Sequence, residues 1–91
     1  MYILARGDSM QPTLRDGSYY CVEPIENGRV EVNDIIVFKK NDIIICHRVV
    51  RILKTKDGHI FFETKGDNCH KSDNFAITLD MIIGKVLKCD D

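Results

Sequence analysis

No stretch of this 91-residue sequence is apolar for long enough to cross a membrane. Runs such as Ile43-Ile44-Ile45-Cys46 fall far short of the roughly 20 residues a spanning helix needs. The N-terminus lacks the basic region and long apolar stretch of a secretory signal. These absences predict a soluble, cytoplasmic chain with no membrane anchor of its own. Basic clusters are missing too. No run of Lys and Arg exceeds two residues, and the formal net charge is -1. Nothing therefore gathers the positive potential that draws nucleic acid. Close cysteine pairs are also absent: the nearest two, Cys69 and Cys89, stand twenty residues apart. That spacing excludes a CxxC redox or zinc site. Cys21, Cys46, Cys69 and Cys89 are expected as free thiols, the first two as small core residues. No segment keeps a helical apolar period, and no internal repeat or low-complexity tract occurs.

What is present is an ordinary folded composition, 44% apolar and 30% charged, in a length that makes one domain over residues 1–91. Met1–Ala5 is a short strand candidate. Ser18–Glu23 is rich in aromatic and β-forming residues, and Pro24 ends it. Asn27-Gly28 signals a turn, and residues 29–32 add a brief extended piece. Asp34–Lys39 and Ile43–Leu53 are strands joined by a turn at Lys40-Asn41-Asp42, hence a hairpin. His59–Thr64 follows the Asp57-Gly58 turn and pairs back onto Ile43–Leu53. Residues 65–74 form a polar loop. Thr78–Met81 reads as one 3₁₀ or helical turn capped by Thr78, and Ile82–Cys89 is the last strand. The class is all-β: a small coiled, partly closed antiparallel sheet with short 3₁₀ or helical turns.

Three polar segments interrupt this pattern. Gly7-Asp8-Ser9-Met10-Gln11-Pro12-Thr13-Leu14 is too polar for a core strand. It reads either as a plain turn, which such residues favour, or as a frame for a nucleophile. Pro12 biases Gln11 towards extended backbone, and Leu14 anchors the segment. A serine hydroxyl needs a base to take its proton. Of His47, His59 and His70, His47 lies inside the long β run, where it is held rigidly. Strict alternation puts Ile45, His47, Val49 and Arg51 on one face of that strand and Cys46, Arg48, Val50 and Ile52 on the other. His59 follows a turn and is expected to be exposed, and His70 sits in the polar loop. A third group often orients such an imidazole, and Asp67 and Asp73 lie in the loop after the neighbouring strand. Asp8 and Asp34 are further carboxylates near the marked segments. A metal set of His70, Asp67 and Asp73 matches no dedicated metal loop, so no metal and no cofactor is expected. Gly7, Asp8 and Met10 mark the approach of substrate, with the Ser9 N–H as the natural donor to a developing oxyanion.

Taken together these segments resemble the catalytic domain of type I signal peptidases and, more broadly, the superfamily shared with LexA-type self-cleaving repressors. Ser9-Met10, Pro12-Thr13-Leu14 and Gly17 resemble the box around the nucleophile. Asn33-Asp34-Ile35-Ile36-Val37-Phe38 resembles the strand after it, with Asn33 where glycine is common. His47-Arg48-Val49-Val50 resembles the general-base segment of the archaeal and endoplasmic-reticulum branch, where bacterial enzymes and the repressors use lysine. Thr64-Lys65-Gly66-Asp67-Asn68 resembles the next box, whose aspartate matches Asp67. Asp73 is the best match to a second family aspartate, and Cys69 replaces a common asparagine. Ile83-Gly84-Lys85-Val86 resembles the terminal strand.

The resemblance implies that fold and a serine endopeptidase. Ser9 would act as nucleophile and His47 as base, Asp67 would orient His47, and Asp73 would be a second carboxylate near the site. The substrate would be an extended peptide or precursor protein laid against an open strand edge, and any membrane association would come through a partner protein. The alternative is a catalytically inactive peptide-binding or regulatory module of the same fold. A nucleic-acid-binding barrel is disfavoured, because Tyr19, Tyr20, Phe61 and Phe62 suit a core or sheet face better than base stacking in a chain of this charge.

Overall fold

The computed structural model describes residues 1–25 and 29–87. Its elements are β1 (Tyr2–Leu4), β2 (Tyr19–Glu23), β3 (Ile35–Lys40), β4 (Ile43–Lys54), β5 (Ile60–Lys65), β6 (Ala76–Ile77), a 3₁₀ turn (Leu79–Met81) and β7 (Ile82–Val86). They form one seven-stranded antiparallel sheet in the order β1-β2-β7-β3-β4-β5-β6. The sheet is not closed, and β1 and β6 are its edges. The expected all-β class, the β3–β4 hairpin and the pairing of β5 with β4 all appear. Among the described residues no helix is long and apolar enough to cross a membrane.

Burial explains the order of strands. Ile36, Val37 and Phe38 on β3 are each at most 1% exposed. A strand apolar on both faces has to lie inside the sheet, and β3 is flanked by β4 and β7. The main core gathers Val30, Ile36, Phe38, Val49, Phe62 and Ile77. Met10, Leu14, Val22 and Val37 are buried outside that cluster, so Leu14 does anchor the N-terminal loop. The Thr78 position caps the 3₁₀ turn with extended backbone.

Several expectations change. Residues 29–32 form no strand, although Val30 is buried. Ala76–Ile77 is a strand inside what reads as connecting sequence; it pairs with β5 and buries Ile77 completely. The register of β4 against β5 shifts between Val49 and Arg51. This bulge leaves one extra residue on β4, so strict alternation ends at Val49. The Asn27-Gly28 turn and Cys89 lie outside the described residues.

Candidate active site

The N-terminal limb holds Ser9 by its backbone. Ala5 N–H donates to the Ser18 carbonyl, and Gly17 N–H to the Ala5 carbonyl, each at 2.8 Å. Gly7 has φ +83°, a conformation that L side chains rarely adopt, and its N–H donates to Asp16 Oδ1 at 2.8 Å. Gly7 makes that backbone turn and also lines the space beside Ser9. The Gln11–Pro12 peptide bond is cis. Met10 and Leu14 then turn inwards, 5% and 4% exposed.

A second segment, residues 66–68, clasps this limb. Asn68 N–H donates to the Ser9 carbonyl at 2.7 Å. Asn68 Nδ2 donates to the Asp8 carbonyl at 3.0 Å, and Asp67 N–H contacts Met10 Sδ at 3.2 Å. The approach is so close that a Cβ on Gly66 would stand 2.6 Å from the Ser9 carbonyl oxygen and 2.8 Å from Cys69 Sγ. Only glycine fits.

These contacts bring Ser9 to β4. Ser9 Oγ lies 3.1 Å from His47 Nε2, and His47 Nδ1 lies 2.7 Å from Asp73 Oδ2. The side chains of His47 and Asp73 are 13% and 15% exposed. A carboxylate can only accept, so the proton of a neutral His47 sits on Nδ1 and donates to Asp73. Nε2 is then the free lone pair that accepts from the Ser9 hydroxyl. The same Asp73 oxygen accepts from Thr64 Oγ1 at 2.7 Å, and Asp73 N–H donates to the Thr64 carbonyl at 2.8 Å.

Asp67 occupies a different place from the one the sequence suggests. It faces Arg48: Arg48 Nε donates to Oδ1 and Nη2 to Oδ2, both at 2.7 Å, and Thr13 Oγ1 donates to Oδ2 at 2.6 Å. Arg48 Nη1 also donates to the Asn33 carbonyl at 2.7 Å. The physical reason is pleating. Adjacent residues on β4 point to opposite faces, so His47 and Arg48 meet opposite sides of the 66–73 segment. Above all the fork of Arg48, and then the Thr13 hydroxyl, hold the Asp67 carboxyl below its usual range, although burial opposes this. The charge-assisted bond from Asp67 likewise raises the Arg48 guanidinium.

The remaining polar positions do not converge on Ser9. His59 is exposed and lies 3.5 Å from Asp57, and His70 is exposed in its loop. Asp34 Oδ2 accepts from Glu31 N–H at 2.8 Å. Among the described residues no three His, Cys, Asp or Glu side chains are grouped as a metal would need. Thr64 and Thr13 are the polar groups that sequence reasoning passed over. Both lie inside motif segments, but nothing in a sequence distinguishes a threonine aimed at a carboxylate from one that only packs.

Beside the Ser9–His47 pair opens a cleft of about 480 Å³ with Ile3, Ala5, Met10, Ile44 and Cys46 in its lining. Its wall includes an unpaired strand edge. Val49 bonds through both backbone groups to Asn33 and Asp34, the residues that lead into β3. Antiparallel alternation then turns the N–H and C=O of Ile44 and Cys46 away from β3. The pairing of β5 begins only at Arg48, so among the described residues no strand covers the edge at Ile44 and Cys46. Burial, with the Asp67 charge second, pushes the Cys46 thiol up to about 12. It stays neutral and serves the cleft as a small apolar wall. With the protein folded at pH 7.5, iodoacetamide should modify Cys46 at least tenfold more slowly than in urea. Equal rates in the two conditions, read by peptide mass mapping, would contradict that protection.

The peptidase S24-like family model matches residues 1–87. The chain belongs to the peptidase S24-like family. Within the chain, 68 residues are 32% identical to the signal peptidase complex catalytic subunit SEC11C of human, mouse and dog. That match covers 72% of this chain and 35% of each relative, so this S24-like chain spans about a third of the length of the curated relatives it matches. No solved structure matches. The signal-peptidase likeness agrees with the branch indicated by a histidine at position 47.

Proposed function

We propose that this S24-like chain is a serine endopeptidase in which Ser9 is the nucleophile, His47 the general base and acid, and Asp73 the carboxylate that orients His47. The observation that carries this reading is the continuous chain Ser9 Oγ, His47 Nε2, His47 Nδ1, Asp73 Oδ2 at hydrogen-bond distances. Nucleophile, base and orienting group stand in the mutual geometry that acyl transfer requires.

The steps follow from those atoms. As the Ser9 Oγ–carbon bond forms, the hydroxyl proton passes to His47 Nε2, and the substrate carbonyl oxygen takes up the negative charge. No group among the described residues accepts from the Ser9 N–H, which leaves that donor for the oxyanion. The carbon–nitrogen bond then breaks, and Nε2 returns its proton to the leaving amine. Water attacks the acyl group on Ser9 while giving a proton to Nε2. The carbon–Oγ bond breaks, the proton goes back to Ser9, and the carboxylic product leaves. Asp73 stays ionised throughout and balances the transient imidazolium.

The substrate is an extended peptide or precursor protein. Its backbone pairs with the open edge at Ile44 and Cys46, and the apolar cleft receives alternate side chains. The SEC11C relatives are named as the catalytic subunit of a signal peptidase complex. By analogy, precursor polypeptides are the substrate class for this chain, and a partner protein is the route to any membrane. Asp67 is assigned to the scaffold, through Arg48 and Thr13.

A diverse peptide pool, scanned for cuts by mass spectrometry with wild type, Ser9→Ala and His47→Ala, tests this. Cuts are expected with wild type alone, because loss of nucleophile or base lowers turnover by roughly a million-fold in a comparable Ser–His system. Equal cutting by Ser9→Ala would refute the assignment. Peptide binding that survives Ser9→Ala, with no cutting by wild type, would favour a non-catalytic peptide-binding module.

A further inference from the structure

We infer that Thr64 is a positioning residue of the catalytic chain, its hydroxyl fixing the rotation of the Asp73 carboxylate so that one oxygen faces His47. The inference rests on the proposed Ser9–His47–Asp73 reading.

Thr64 is the one polar residue in the fully buried set of the described residues, at 0% exposure. A hydroxyl taken entirely out of water is unfavourable unless it is hydrogen-bonded. Valine has almost the same shape, carries no such burden and is at home in strands. Packing alone therefore does not account for a threonine here. Its hydroxyl donates to Asp73 Oδ2, the same atom that accepts from His47 Nδ1.

Two donors on one oxygen fix both the torsion of the carboxylate and the side from which the imidazole is met. Without the hydroxyl the carboxylate could turn about its own bond, and His47 would lose its fixed acceptor. Place in the sheet explains why this residue can do so. Thr64 sits opposite Val49 in the β4–β5 ladder. Val49 is two residues beyond His47, hence on the same face. The ladder shifts immediately afterwards, between Val49 and Arg51, so the shared face ends just past this pair. The backbone contributes separately, since Asp73 N–H donates to the Thr64 carbonyl. Changing the side chain leaves that bond in place and the loop docked.

The test compares Thr64→Val and Thr64→Ser with wild type on a cleaved peptide, with thermal melts to confirm folding. Thr64→Val should lower kcat by about ten- to a hundredfold, the size of effect seen for outer hydrogen-bond partners of metal-ligating histidines, with KM changed less than twofold. Thr64→Ser, which keeps the hydroxyl, should stay within about threefold of wild type. In nitrogen-15 histidine spectra the His47 Nδ1–H should exchange with water at least tenfold faster in Thr64→Val, and at the wild-type rate in Thr64→Ser. Equal kcat in valine variant and wild type, or equal loss in both variants, would overturn the inference. The spectral comparison needs no substrate, so it judges Thr64 even where Ser9 proves not to be a nucleophile. Cutting by Ser9→Ala would sink the catalytic reading and leave the spectral result to stand or fall by itself.

Discussion

Asp73→Asn is expected to lower kcat by roughly a thousand- to ten-thousandfold, the scale found when a triad aspartate becomes an amide, while the protein remains folded. The reason is the charge and the single acceptor atom that Asp73 presents to His47. Asp73 Oδ2 accepts from Nδ1 at 2.7 Å and from Thr64 Oγ1 at 2.7 Å. An asparagine oxygen in that position still accepts both bonds, but the amide carries no charge to balance the imidazolium that forms when Nε2 takes the Ser9 proton. In the flipped pose the NH₂ meets the ring, Nδ1 becomes the acceptor, and the ring proton moves to Nε2, which can no longer take a proton from Ser9 Oγ. Asp67→Asn, by contrast, should change kcat far less and weaken the fold instead. Steady-state kinetics and thermal melts of both variants decide the matter. A larger kcat loss for Asp67→Asn than for Asp73→Asn would return the orienting role to Asp67.

The second large effect concerns stability. Arg48→Met should destabilise the fold by about 2–3 kcal/mol. Removing one partner of a buried pair is worth about 3–5 kcal/mol, and the figure is reduced because Arg48 is 28% exposed and Asp67 17%. For a domain of this size that is a fall in Tm of about 8–24 °C. The loss has three parts: the bidentate bond, the Asn33 carbonyl left without its donor, and the Asp67 charge left with the Thr13 hydroxyl and the more distant Lys65.

A pH signature accompanies it. The Asp67 carboxyl is lowered in the folded state, first by Arg48 and then by Thr13. Its unfolded value is about 3.9. The folded state thus holds the proton less tightly than the unfolded state does. The stabilisation is fully present above about pH 4 and disappears as pH falls through the lower folded value. Urea midpoints from pH 6 to pH 2 should decline more steeply for wild type than for Asp67→Asn. Parallel curves would show that the pair contributes no such dependence.

Much of this architecture is readable from residues. The β3–β4 hairpin, the return of β5 and the 3₁₀ turn follow from apolar runs, turn pairs and a capping threonine. The proposed nucleophile and base stand out because Ser9 lies in a Gly- and Pro-punctuated segment and His47 lies inside the longest strand. Asn33 in place of glycine is intelligible too: its φ is 83°, a left-handed conformation that asparagine tolerates better than most residues.

What escapes is register. Asp67 and Asp73 are both loop aspartates, six positions apart on the chain. Only the β4–β5 ladder and its shift after Val49 decide which one meets the His47 face and which the Arg48 face. Strand β6 escapes for a related reason. Two residues carry no periodicity, and Ala76–Ile77 is a strand because β5 has a free edge there.

The turn between β3 and β4 bears on this choice from a distance. It has only two residues, Asn41 and Asp42, both left-handed at φ 51° and 65°, and it fixes Lys40 against Ile43. That is the hairpin connection whose twist suits paired strands, and it allows little slippage. A slip of one residue would turn every β4 side chain to the other face. The guanidinium would then stand where the proposed nucleophile Ser9 needs a base, and the imidazole where Asp67 needs a cation. Proton transfer and scaffold are thus indexed together, by a tip that touches neither. The loop can vary only among residues that accept a left-handed backbone, and its count of residues bears on the proposed chemistry.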